Sequence, residues 1–265
     1  MTPRRQTVTV WDGQVALGMQ AGGAGPPLVF FHGPWGLTWG PFLDALAGAF
    51  TVYAPEHPGT TPGEPDIIHR VDSLWDLALC YDELLDRLGL ADVVLAGHSF
   101  GAMVACEVAA VRPSRVRRLV LIDPVGFWRD DAPVTNWMLL APSELPAYVF
   151  RDPESPAARA LFTIPDDPEE GALARTRLQW AMGATGKFIW PLPDKGLKKR
   201  IHRIAGTPAL LVWGEDDRLV PRAYAEEFSR RLARARTEVV KSAGHAPHLE
   251  QPEATARLVR AFLDA

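Results

Sequence analysis

An α/β fold, a mostly parallel sheet covered by helices on both faces, is what this chain of 265 residues predicts. Three observations carry that expectation. Residues 28–31, 93–96, 118–122 (after its leading Arg118) and 208–213 are short runs of consecutive apolar side chains, as strands buried on both faces require. Between them lie segments of helical spacing, clearest at 73–88 with Leu74, Leu77, Tyr81, Leu84, Leu85 and Leu88. Strand and helix then alternate in the manner that builds parallel sheets.

Each element has its own signal. Residues 7–11 and 14–21 alternate apolar and polar around Asp12-Gly13, a hairpin turn. A glycine-rich stretch, 22–27, leads into the strand at 28–31. Residues 42–50 read as a short helix and 51–54 as the next strand. The helix at 73–88 ends on Gly89, a C-cap. Residues 93–96 are a strand, 102–111 a helix, and 118–122, 208–213 and 237–240 further strands. Between 124 and 203 the alternation stops. That segment is rich in prolines and acidic turns, such as Ile164-Pro165-Asp166-Asp167-Pro168, and in bulky groups including Trp128, Trp137, Phe162 and Phe188.

Composition narrows the class. At 47% hydrophobic and 23% charged, the chain reads as a globular, cytoplasmic protein. A formal net charge of −4 gives no basis for nucleic acid or an anionic membrane as partner. No secretory signal and no membrane-length apolar run is visible. Cys80 and Cys106 fall on apolar helix faces and read as buried thiols, with no disulfide framework. No phosphate loop and no metal-ligand spacing stands out, which implies neither cofactor nor metal.

The chemistry centres on Gly97-His98-Ser99-Phe100-Gly101, set directly between a buried strand and a helix. In that setting G-x-S-x-G is a nucleophile elbow, a turn so sharp that a β-carbon at either glycine would clash. It presents Ser99 at the carboxyl end of the sheet and the amino end of a helix, where negative charge is favoured. An acid and a histidine follow, each just past a strand end: Asp216-Asp217 after 208–213, and Gly244-His245-Ala246-Pro247-His248 after 237–240.

The order Ser, Asp, His at strand ends resembles the α/β-hydrolase superfamily, and the resemblance runs from Leu28 to Leu263. It implies residues 1–123 and 204–265 as the hydrolase core, and 124–203 as an inserted helical cap over Ser99. It implies Ser99 as nucleophile, His245 as base and Asp217 as orienting acid. His248 is then structural, and His32 supports the oxyanion loop. Asp216 is displaced by the family spacing G-x-x-D from Gly214, while Asp123, ending the strand at 118–122, is a rival acid because some members take theirs there.

The oxyanion hole departs from the pattern. Phe100 N–H is one expected donor, but the residue after His32-Gly33 is Pro34, which has no N–H, so Trp35 N–H is the expected substitute. Trp35 and Trp39, with Trp128, Trp137 and Phe188 from the cap, predict an apolar substrate pocket. Of the lesser features, Glu56-His57-Pro58-Gly59 reads as loop geometry with His57 a possible substrate contact. The basic run 195–203 reads as a solvated helix face.

The expected activity is a serine esterase acting on a small, largely apolar ester or acyl substrate. The rivals are a carbon–carbon bond hydrolase of ring-cleavage products, a cofactor-free haloperoxidase or perhydrolase, and a ligand sensor retaining the hydrolase fold. The carbon–carbon hydrolases typically carry serine and asparagine where this chain has Pro34 and His98.

Overall fold

Side chains alternate across a strand, so a run apolar at every position must be covered on both sides. The computed structural model, which describes residues 2–265, shows that covering. The strands are β1 (Arg4–Val10), β2 (Val15–Gly22), β3 (Pro27–Phe31), β4 (Thr51–Pro55), β5 (Val93–His98), β6 (Val116–Ile122), β7 (Ala209–Gly214) and β8 (Ala235–Val240). They form one sheet of order β1-β2-β4-β3-β5-β6-β7-β8, antiparallel at β1–β2 and β2–β4 and parallel elsewhere. The chain steps outward from β3 to β4, then returns past β3 to β5. Open parallel sheets bind ligands beyond the carboxyl ends of strands at such a reversal.

The helices are α1 (Pro41–Ala47), α2 (Leu74–Arg87), α3 (Phe100–Val111), α4 (Leu145–Val149), α5 (Pro156–Phe162), α6 (Pro168–Ile189), α7 (Ala223–Arg231), α8 (Pro247–Glu250) and α9 (Pro252–Leu263). Leu28, Phe30, Val94, Ala96, Val120 and Ile122 point to one face, where α1 and α9 pack. Val29, Phe31, Leu95, Leu119 and Leu121 point to the other, among side chains of α2, α3 and α7. α2 starts in a capping box, Ser73 Oγ accepting from Asp76 N–H and the Asp76 carboxylate from Ser73 N–H.

Residues 124–203 connect β6 to β7 and hold α4, α5 and α6. Their prolines begin helices: Pro146, Pro156 and Pro168 each sit in a first turn, where the missing N–H costs nothing. The acidic turn before α6 is its N-cap, Asp167 accepting from Glu169 and Glu170 N–H. The basic run 195–203 exposes Lys198, Lys199, His202 and Arg203 over buried Leu197, Ile201 and Ile204, as a solvated helical face does. It forms two short 3₁₀ turns, Leu197–Lys199 and Ile201–Ile204, from which Arg200 clamps the buried Glu107 of α3 at 2.6 and 2.7 Å. A buried carboxylate needs such a partner, and only Arg200's planar fork satisfies both oxygens at once.

α3 leaves β5 after one intervening residue, and two glycines permit it. A β-carbon on Gly97 would stand 2.3 Å from Gly101 O; one on Gly101 would stand 2.1 Å from Phe31 O and 2.4 Å from His32 O. Every opposing atom is backbone and cannot rotate away. Gly101→Ala should therefore cost at least about 2 kcal/mol of stability, read as a lower urea midpoint. A variant as stable as the parent would mean that β3 and α3 are not held at this separation.

Candidate active site

Ser99 is the N-cap residue of α3 yet has φ +53, a conformation that non-glycine residues rarely adopt. The turn is pinned by Ser99 N–H donating to Ile122 O at 2.8 Å and by Met103 N–H donating to Ser99 O at 3.2 Å. Its side chain makes no capping bond. Oγ is free for another partner, and lies 2.9 Å from His245 Nε2. His245 Nδ1 lies 2.8 Å from Asp217 Oδ2. The acid fixes the tautomer: Nδ1–H donates to the carboxylate, leaving Nε2 bare to accept from the serine hydroxyl.

Asp217 is itself held by its loop, Oδ1 accepting from Leu219 N–H at 2.8 Å and Val220 N–H at 2.9 Å. Asp216 points elsewhere and pairs with Arg151 at 3.2 Å. Asp123 is fully buried at the end of β6, where Oδ1 accepts from Gly214 N–H at 2.9 Å. Burial above all, and then the charge of Asp217, holds its carboxyl well above the usual range. Gly214 also brings the acid and histidine loops together, since a β-carbon there would lie 1.8 Å from Gly244 O.

A set of neutral histidines supports these loops. His98 Nε2 donates to the His245 backbone carbonyl at 2.7 Å, across 147 positions of sequence, so nothing local announces it. His248 packs its ring 4.3 Å from that of His98. Under the loop at 32–36, His32 Nδ1 donates to Gly33 O while Nε2 accepts from His57 N–H. His57 Nε2 donates to His32 O at 2.9 Å, and Nδ1 accepts from the Tyr81 hydroxyl at 2.5 Å. With both nitrogens engaged and 1% of its surface exposed, His57 braces the loop and is not a substrate contact. Burial pushes His32 down to about 4 and His248 to about 3, and holds His57 and His98 well below the ordinary histidine value.

The serine is 2% exposed, and aromatic side chains of the segment between β6 and β7 meet the loops beside it. Trp35 meets Trp137 and Phe162 edge-on, with ring centroids 5.2 and 5.5 Å apart, and its buried indole N–H has no acceptor. Phe188 stacks on Phe100 at 6.0 Å. Trp128 stands further out, bonded to Asp130. Trp39 is not in this group: its indole donates to Asp44 of α1, and it packs on the opposite face of the sheet. Phe100 opens α3, so its N–H is among those that helix geometry leaves without an intrahelical acceptor. An apolar cavity of about 310 Å³ lies beside the site, lined by α1, α5, His248 and Leu249.

Sequence reasoning missed Glu250. Its Oε1 accepts from Arg151 and Asp152 N–H and its Oε2 from Gly244 N–H, tying the α4–α5 connection to the histidine loop. Thr135 N–H and hydroxyl donate to Leu219 O and Arg218 O, tying the same inserted segment to the acid loop. No helix among the described residues is long and apolar enough to cross a membrane.

Comparison with known proteins matches residues 28–258 to the model of the alpha/beta hydrolase family. The chain is similar to a pimeloyl-(acyl-carrier protein) methyl ester esterase of Aromatoleum aromaticum, 32% identical over 88% of this chain and 96% of the relative. It is similar to an sn-1-specific diacylglycerol lipase of Mus musculus, 29% identical over 90% of this chain and 81% of the relative. Among solved structures, a 2-hydroxy-6-oxo-6-phenylhexa-2,4-dienoate hydrolase from Rhodococcus superposes with TM-score 0.72 at 21% identity, covering all of both chains.

The buried histidines make stability depend on pH. Their folded values lie below the unfolded one near 6.5, so the unfolded chain binds more protons, and stability falls as pH drops from there to about 4 for His32 and about 3 for His248. Each contributes a slope of about 1.4 kcal/mol per pH unit inside its window. Urea melts between pH 7 and pH 5 should show the loss, and His248→Gln should reduce the slope by about one proton. A flat profile would contradict neutral buried rings.

Proposed function

The chain belongs to the alpha/beta hydrolase family, and from that premise we propose that it is a serine esterase cleaving carboxylic ester or related acyl bonds of small, largely apolar substrates. One observation carries the reading: the unbroken path Ser99 Oγ to His245 Nε2, and His245 Nδ1 to Asp217 Oδ2, at 2.9 and 2.8 Å. A serine hydroxyl needs an adjacent base to attack at neutral pH, and this is one.

In the proposed cycle His245 Nε2 takes the Ser99 proton as Oγ attacks the carbonyl carbon. The imidazolium is stabilised by Asp217, and the developing oxyanion accepts from Phe100 N–H and Trp35 N–H at the amino end of α3. Collapse expels the alcohol, which leaves with the proton from His245, and Ser99 keeps the acyl group. Water, giving its proton to the same nitrogen, releases the acid and restores the serine. Residues 124–203 act as the cap, with Trp137, Phe162 and Phe188 excluding water above the serine. The apolar lining of the neighbouring cavity and the two relatives named for ester substrates favour an ester of modest size.

The test is a panel of p-nitrophenyl esters of varied acyl length beside a ring-cleavage product and a fluorophosphonate probe. The parent should turn over esters steadily and label at Ser99. Ser99→Ala and His245→Ala should lose turnover without loss of fold, and Asp217→Asn should lose about 10³- to 10⁴-fold in kcat. Turnover of the ring-cleavage product alone, or stoichiometric binding without turnover, would replace the esterase reading with one of its rivals.

A further inference from the structure

We propose that Asp123 is a positioning residue of this site: a neutral carboxylic acid whose O–H donates to the Asp217 carboxylate and fixes it against His245. The inference rests on the serine hydrolase reading above and names a fourth member of its hydrogen-bonded path.

The geometry leaves a place for that proton. One polar side-chain atom from each of Asp123, Asp217 and His245, a carboxyl oxygen or a ring nitrogen, lies within 4.8 Å of the others. Asp123 has no exposed surface, and its Oδ1 is taken by Gly214 N–H. Its Oδ2, if ionised, would be buried with no donor at all. Protonated, that oxygen has an acceptor to turn to, because the Asp217 carboxylate places an oxygen within 4.8 Å of the Asp123 carboxyl. Asp217 has the matching vacancy: Oδ1 accepts two backbone N–H groups and Oδ2 accepts His245 Nδ1–H, which fills about three of its four lone-pair sites. The O–H of Asp123 fills the other.

The fold also spends strain on the arrangement. Asp123 sits at φ +43, while its N–H donates to Val212 O and continues the β6–β7 ladder. Strained non-glycine residues cluster where a side chain must be aimed.

Around the pair, the charged and titratable neighbours are few. His245 faces Asp217, and behind it His98 and His248 are kept neutral by burial. On the acid loop Arg218 donates to Ala147 O, while Arg151 pairs with Asp216, so neither arginine neutralises the pair. With burial first and the neighbouring Asp217 second opposing an anion at Asp123, the proton stays on Asp123.

Asp123→Leu removes the donor, and Asp123→Asn restores a donor without restoring any charge. The readouts are the pH profile of kcat/KM, the rate of fluorophosphonate labelling at Ser99, and the carboxyl resonance of Asp123 in ¹³C-aspartate-labelled protein, identified by its loss in Asp123→Asn. Asp123→Leu should react at least tenfold more slowly with its acid limb moved to higher pH, since a carboxylate relieved of one donor holds the imidazolium more firmly. Asparagine should recover most of that rate and return the limb, and the parent's resonance should stay at the protonated position through pH 7.

An acid limb moved to lower pH in Asp123→Asn would show that Asp123 carries charge, and would overturn the proposal. So would a loss matching Asp217→Asn, a resonance titrating below pH 6, or leucine equal to the parent. If the leucine variant does not fold, the asparagine variant and the resonance still decide. A protein inert to every ester but labelled at Ser99 would refute the ester reading alone, because labelling and resonance need no ester.

Discussion

The site depends on one close approach, that of the first turn of α3 to the ends of β3 and β5. Gly97 and Gly101 permit it, and Ser99 occupies the single strained position between them. Were the helix set back by even a β-carbon's width, Ser99 Oγ would recede from His245, whose place is fixed independently from β8. Oriented catalysis tolerates little such error, since an ångström of misplacement costs orders of magnitude in rate. The strain at Ser99 is therefore held by what surrounds it: the β5–β6 ladder behind, and α3 packed into the sheet ahead.

Position is only half the requirement. A buried site crowded with histidines and acids functions only if most of them are uncharged. Each tautomer follows from its partners. His32 donates at Nδ1, His57 and His98 donate at Nε2, and Tyr81 supplies the proton that His57 Nδ1 accepts. None needs a second proton. On the proposed reading the field reaching Ser99 is then that of one carboxylate through one imidazole, while the remaining rings act as dipoles and packing. The same economy makes the fold acid-sensitive, because protonating a supporting ring buries a charge, and at His32 and His57 it also removes the acceptor nitrogen each uses.

The sequence displayed the core because its signals are local. Buried strands are continuous apolar runs, α2 is a capped amphipathic helix, and the elbow is five consecutive residues between them. Ser99, His245 and Asp217 were legible for a related reason, each lying just past a strand end. What stayed hidden lies far apart in sequence: His98 under His245, Glu250 clamping residue 151 to residue 244, Arg200 on Glu107. None has a periodicity or spacing that marks it. Trp39, grouped with the pocket aromatics on sequence, lies apart from Trp35 and Trp137, because Asp44 five residues on holds its indole against α1. The prolines of 124–203 left the helix bounds there unmarked, because Pro breaks a helix from within but starts one in its first turn, as Pro146, Pro156 and Pro168 do.

The inserted segment explains why these distant contacts matter together. It hydrogen-bonds to the acid loop through Thr135 and to the histidine loop through Glu250, and it stacks on the elbow through Phe188. All three loops that carry the reacting groups are thus braced from the sheet below and from the insertion above. If the insertion acts as the proposed cap it excludes water, and in a dry site the Asp217 charge and the α3 dipole are screened less than in solvent. On the proposed reading, the elements packed about Ser99 are therefore also the ones that set the strength of the field it would react in.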